Sequence, residues 1–200
     1  AVVTAPLLRA DGLTLRFGGN VALDDVSFEV RPGELFAIIG PNGAGKTSTF
    51  NCISGVYRPQ AGEITFRGES LLGQRPDRIA TRGMARTFQN IELFDNLSVL
   101  ENLLLGRHHL MRAPWWQAMA WLPGTSREER AARLEIEYLI EFLDLTAVRR
   151  HPVGILPYGI KKRIELGRAL AMQPELLLLD EPVAGMNAEE TEDMARFILD

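Results

Sequence analysis

Between an apolar run, ELFAIIG, and a segment of helical character, KTSTFNCISG, the chain carries GPNGAGKT at 40–47, which fits the pattern G-x-x-x-x-G-K-[ST]. No other stretch constrains the fold as strongly, because the pattern gains a mechanism only where a strand delivers it and a helix leaves it. Gly40, Gly43 and Gly45 let successive backbone N–H groups turn inward, and the helix start adds its positive dipole end, so the segment reads as a cradle for phosphate. Asn42, Ala44 and Ser48 complete the loop and the first helical turn. Lys46 reaches the β- and γ-phosphates as a point charge, and the Thr47 hydroxyl is placed to ligate Mg²⁺. A glycine-rich connector with an incidental lysine would not account for the strand before it and the helix after it.

A second segment, LLLLDEP at 176–182, supplies the complement. Four leucines predict a buried strand whose end presents Asp180 toward the metal and Glu181 toward the γ-phosphate. Phosphoryl transfer is mostly positioning and charge stabilisation, and the loop lacks an acceptor to orient the attacking water. Glu181 is that candidate. The plainer alternative is a surface carboxylate pair after a strand.

The rest of the chain reads as α/β with a helical middle. Residues 7–17 and 21–30 show partial strand alternation and are joined by Gly18-Gly19-Asn20, which suggests a hairpin. ELFAIIG suits a central strand covered on both faces. A helix runs from 45 toward Gly55; GEITFRG is a short strand, RPDRIATRG a short helix, and MARTFQN a strand that enters a polar loop. From about 95 to 150, LSVLENLLLGRHHLM and SREERAARLEIEYLIEFLDL carry apolar residues at helical spacing, with Ser98/Glu101 and Ser126/Glu129 as capping boxes. A helix from about Gly159 to Met172, the strand ELLLLD and a helix beginning near Asn187 follow.

Composition narrows the class. Two hundred residues, 46% of them apolar, suffice for one core-bearing domain or a large domain with a small appendage. No apolar run approaches the ~20 residues of a spanning helix. A net charge of −4 argues against a broad electrostatic grip on nucleic acid, and the basic clusters Arg149-Arg150 and Lys161-Lys162-Arg163 read as solvated faces. The single cysteine, Cys52, cannot form an internal disulfide and reads as a small buried hydrophobe. The N-terminus shows no leader, which makes a cytosolic location the expectation. Trp115, Trp116 and Trp121 suit either packing of an inserted helix or contact with a membrane subunit or headgroups. His108 and His109 point to different helix faces and lack nearby thiols, against a metal site.

In order and spacing, LRFGG, GPNGAGKT, RTFQN, LPYGIKKRIELGRAL, LLLLDEP and AGMN resemble the nucleotide-binding subunits of ABC transporters over essentially all 200 residues. The resemblance implies a P-loop NTPase core of mostly parallel sheet, an N-terminal antiparallel β subdomain and an inserted helical subdomain, with the C-terminal part of the fold missing. It divides a single ATPase domain into 1–94 plus 151–200 as ATP-binding core and β subdomain, and about 95–150 as helical subdomain. By position, Phe17 matches the aromatic on which adenine stacks, and Gln89 the glutamine that contacts Mg²⁺ and the attacking water. Asn187 falls in the segment that crosses to a partner subunit.

LPYGIKK stands where the family commonly has LSGGQ, whose serine hydroxyl and glycine N–H groups grip the γ-phosphate of ATP on the opposite subunit. Pro157 replaces the serine and has neither hydroxyl nor N–H to donate; Tyr158 replaces the first glycine, and Ile160 the glutamine. Gly159 and the helix start remain as an anion site toward the partner's nucleotide. LPYG followed by basic residues is similar to the ATPase subunits of bacterial branched-chain amino-acid importers, as are ARTFQNIELFDNLSVLENLL and the insertion around APWWQAMAWLPG.

The resemblance thus implies an ATP hydrolase using ATP and Mg²⁺, peripheral on the cytoplasmic face of a bacterial inner membrane. Its implied partners are a second ATPase subunit, integral membrane permease subunits and, indirectly, a periplasmic substrate-binding protein, with no nucleic acid. A family histidine that contacts the γ-phosphate has no match here, so slow hydrolysis is expected of a chain ending at Asp200. A soluble ABC-type ATPase of nucleic-acid repair or translation would carry a coiled-coil insertion or a second domain, and a small P-loop kinase would leave LPYGIKK and Gln89 unexplained.

Overall fold

The computed structural model describes residues 5–87, 92–107 and 127–199, with side chains from 131 in the last segment. They form two compact units, divided between Met84 and Ala85.

The first unit is built on an antiparallel sheet in the order β2-β1-β3-β4. Strand β1 spans Leu8–Phe17 and β2 Asn20–Val30, paired from Leu8 with Val30 to Phe17 with Asn20 around the expected Gly18-Gly19 turn. Buried positions in β1 are Leu8 and Ala10, then Leu13 and Leu15. That change of parity is a bulge at Asp11-Gly12: Gly12 adopts φ 61° and the register shifts there. Strand β3 (Ala61–Phe66) adds Ile64 and Phe66 to the core, and β4 (Glu69–Ser70) follows. Helix α1 (Lys46–Ile53) lays Cys52 and Ile53 into the interior, and α2 (Pro76–Thr81) contributes Ile79.

One expectation fails in this unit. ELFAIIG is not a strand: Leu35 is 69% and Ile39 92% exposed, and no ladder forms over 34–40 among the described residues. Apolar composition specifies a demand for cover, but a strand also needs a neighbour to accept and donate its backbone hydrogen bonds, and the described residues supply none. Phe36 instead stacks on Phe28, centroids 5.3 Å apart.

The second unit gathers α3 (Val99–Arg107), α4 (Arg127–Phe142), α5 (Tyr158–Leu170) and α6 (Ala188–Leu199). Val99, Leu103, Ile136, Ile140, Ile164 and Phe197 are central to their shared core. A methyl at Gly167 would meet Leu143 at 2.7 Å and Leu103 at 2.8 Å, so glycine lets the helices close together. The Ser98–Glu101 capping box is present: the Glu101 carboxylate accepts from Ser98 N–H at 2.8 Å, and Ser98 Oγ accepts from Glu101 N–H at 3.3 Å. The Ser126/Glu129 box, the three tryptophans, His108 and His109 lie outside the described residues. Strand β5 (Met84–Arg86) pairs with β6, which is shorter than the leucine run predicts, Leu176–Leu178, and only Leu178 of it is fully buried.

The basic clusters are solvated only in part: Arg150 is exposed, but its neighbours are paired. Lys162 is 3% exposed and donates to Glu165 at 3.2 Å; Arg163 pairs with Asp193 at 2.6 Å, and Arg149 with Glu137 at 2.8 Å. Helix α5 is buried nearly all round, so its cations meet carboxylates rather than water.

Candidate functional site

The turns that lead into α1 are made by glycine for separable reasons. Gly43 and Gly45 hold φ of 84° and 86°, in the left-handed region that L side chains rarely enter. A Cβ at Gly45 would stand 2.4 Å from the Ala22 carbonyl oxygen of β2, so the loop touches the sheet there. At Gly43 no described atom lies within 4 Å of where a Cβ would be, which leaves backbone facing open space. The Thr49 N–H makes the first α-helical bond, to Gly45 at 2.8 Å. Lys46, Thr47 and Ser48 therefore carry the first-turn amides that the helix itself cannot satisfy. Lys46 Nζ bends back over the loop and donates to the carbonyls of Gly40 and Pro41, the latter at 3.1 Å. Unsatisfied amides, a helix start and an ammonium thus share one short stretch of chain, a combination suited to binding phosphate.

Phe17 ends β1 and is 49% exposed, with Tyr57 edge-on at 5.1 Å. Its preceding residue is clamped: Gln60 accepts from the Arg16 N–H at 2.9 Å and donates to the Arg16 carbonyl at 3.1 Å, a side-chain amide taking the place of a neighbouring strand. Ala22 and Leu23, the residues against Gly45, follow closely on Asn20, the partner of Phe17. At about 3.3 Å per residue, the aromatic ring and the glycine loop share one end of the hairpin.

In the second unit, Asp180 is 3% exposed and accepts from Arg86 Nη2 at 3.2 Å. The contact is set by the adjacent strands, since the Thr87 N–H bonds to Leu178 at 3.0 Å. Glu181 is exposed at φ 50°, a backbone region uncommon for a residue with a side chain. The turns after it overlap: the Ala184 N–H donates to Glu181 at 3.1 Å and the Met186 N–H to Val183 at 3.2 Å. Mg²⁺ is commonly held by one or two protein oxygens plus phosphate oxygens. Among the described residues no cluster of three His, Cys, Asp or Glu could hold a metal alone.

Pro157 caps α5 at φ −59°, fixed in the conformation its ring imposes. Gly159 is buried, and a Cβ there would fall 2.1 Å from Glu190 Oε1. Ile160 packs on the helical core, which explains an apolar residue where the family pattern has glutamine.

A family model described as ABC transporter matches residues 23–184. The chain belongs to the ABC transporter family. It is 38% identical over 98% of its length to the high-affinity branched-chain amino acid transport ATP-binding protein BraF of Pseudomonas aeruginosa, spanning 77% of that relative. It is 39% identical to the corresponding protein LivG of Salmonella typhimurium, again over 98% of this chain and 77% of the relative. Among solved structures it resembles the ADP conformation of an ATP-binding cassette of an ABC transporter, with a TM-score of 0.82, 31% identity, and coverage of 98% of this chain and 76% of that one. A nucleotide-free cassette aligns with a TM-score of 0.80.

Within this ABC cassette, the structure brings together Gly40, Asn42, Gly43, Ala44, Gly45, Lys46, Thr47 and Ser48 as one loop and helix start, with Phe17 at the same hairpin end. Asp180 and Glu181 follow β6 as read from sequence, and Gly159 stands in the first turn of α5. Gln89 lies outside the described residues. Sequence reasoning missed Arg86, 94 positions from its partner, for which no local signal exists. It also missed Glu190, which a signal did offer: Asn187 and Glu190 form a reciprocal capping box, with bonds of 3.0 and 2.9 Å.

Proposed function

We propose that this chain is the ATP-binding and ATP-hydrolysing subunit of an ABC transporter that powers uptake of branched-chain amino acids. The observation that carries it is the glycine-turned loop with Lys46 folded over it, within a chain similar over 98% of its length to BraF and LivG. In this reading Phe17 stacks on adenine, and the amides of 43–48 with Lys46 hold the phosphates. Thr47, Asp180 and Gln89 would hold Mg²⁺, which when bound would supply neutralisation of phosphate charge. Glu181 orients the attacking water and accepts its proton. The start of α5, where Gly159 itself lies buried beneath Glu190, would be turned to the nucleotide of a second ATPase subunit. The further partners are integral membrane permease subunits and, through them, a periplasmic substrate-binding protein. The cytoplasmic face of the inner membrane is the expected location, and no described helix is long and apolar enough to cross a membrane. Nucleic-acid repair finds no support in a net charge of −4.

Calorimetry of the full-length protein with Mg·ATP tests the core of the proposal: saturable heat is expected, and its absence overturns the nucleotide reading. Leucine uptake by vesicles carrying the assembled transporter tests the substrate class. ATP-driven uptake of leucine, isoleucine and valine is expected, and uptake of none of them with intact ATP turnover overturns only that class.

A further inference from the structure

Tyr158 stands where the family pattern has a small residue, and the structure gives it a specific contact. Its hydroxyl donates to the carbonyl of Ala184 at 3.1 Å, and its ring lies on Gly185, where a Cβ would meet Cε1 at 3.2 Å. Gly185 is at φ 78°. Ala184 is also the residue whose N–H closes the turn on the Glu181 carbonyl at 3.1 Å. One peptide segment therefore links the Tyr158 hydroxyl to the backbone of Glu181. Farther along, Glu190 accepts from the Asn187 N–H while its other carboxylate oxygen rests against Gly159. The segment from Glu181 to Asn187 is thus pinned on the first turn of α5 at two points.

We infer that Tyr158 is a positioning residue for Glu181, acting through the Ala184 turn, an inference that rests on the role proposed above for Glu181. A side-chain-bearing residue at φ 50° persists only where its surroundings over-determine it. The closed turn provides part of that constraint, and the tyrosine hydroxyl holds the turn closed. The hydroxyl is committed to the Ala184 carbonyl, so its loss is expected to act on the orientation of the carboxylate. Sequence alone shows a bulky residue where a phosphate grip thins; the structure shows that residue turned instead onto the segment after the carboxylates.

Tyr158→Phe in the full-length protein keeps the ring on Gly185 and removes only the hydroxyl. Amide hydrogen exchange over 181–187, measured without nucleotide, is expected to accelerate roughly fivefold, the scale of one neutral hydrogen bond. ATP turnover is expected to show kcat reduced by about the same factor, with KM for ATP and the thermal midpoint unchanged. Gly185→Ala, which forces a Cβ against the ring, is expected to move both readouts in the same direction. Unaltered exchange in Tyr158→Phe overturns the latch, whether or not the wild type hydrolyses ATP. Accelerated exchange with unaltered kcat, or a raised KM at unaltered kcat, overturns the positioning role. A wild type without ATPase activity counts against the proposed function alone, and exchange then decides the latch.

Discussion

Lys46 and Glu181 carry different burdens, and substitution separates them. In the proposed role the ammonium would make charge-assisted contacts to phosphate, each worth about 1.5–3 kcal/mol, so Lys46→Ala should weaken ATP binding by roughly ten- to a hundred-fold in titration calorimetry. Glu181→Gln keeps shape and hydrogen-bonding reach but not the base. Its expected signature is near-normal ATP affinity with kcat lowered by about 10²–10⁴ in a phosphate-release assay. Gly45 sets a limit of another kind: its φ of 86° and the Ala22 carbonyl leave no room for a methyl. Gly45→Ala should destabilise the fold by about 1–3 kcal/mol from backbone strain alone, read as a lowered denaturation midpoint.

Helix α3 shows what a few local bonds do for an element. Two hydrogen bonds from Ser98, side chain first and then backbone, hold the Glu101 carboxyl below its ordinary value of 4.5. A carboxyl whose folded value is depressed contributes stability that is fully present above its unfolded value and lost as pH falls through the folded one. The contribution of this cap should therefore persist above about pH 4.5 and fade below it. Ser98→Ala should cost about 1 kcal/mol at neutral pH, and its difference from wild type should shrink in acid; a pH-independent difference in urea midpoints would refute the electrostatic part. The same cap geometry at Asn187 and Glu190 starts α6, which places the pinned segment after Glu181 under the control of two helix starts.

For the molecule as a whole, burial decides what chemistry is open to a residue. Cys52 is 3% exposed and burial pushes its thiol up to about 11, so at pH 8 it is protonated as well as covered. Alkylation by iodoacetamide should proceed only through opening of the first unit, slow in buffer and fast in denaturant; equal rates in both would mean that α1 does not protect it. In the second unit the Lys162–Glu165 pair is buried on both sides. Lys162→Met alone should destabilise by about 3–5 kcal/mol, because the buried carboxylate loses its cation, whereas Lys162→Met with Glu165→Leu should be close to neutral.

The glycine turns at 43 and 45 and the helix start after them were legible in the sequence because their geometry is local: backbone conformations and a helix start are specified by a contiguous segment. The hairpin, the Ser98–Glu101 box and the helices of the second unit were legible for the same reason, since turn residues and apolar spacing act over a few positions. ELFAIIG was misread because its apolarity implies a neighbouring strand without providing one, and Lys162 because a run of cations looks solvated until the helix that bears it is packed on every side. Only the tertiary structure could pair Arg86 with Asp180, clamp Arg16 with Gln60 or set the Tyr158 hydroxyl on Ala184. Such contacts join residues far apart along the chain, and their energies exist only after chain closure has brought them within hydrogen-bonding distance.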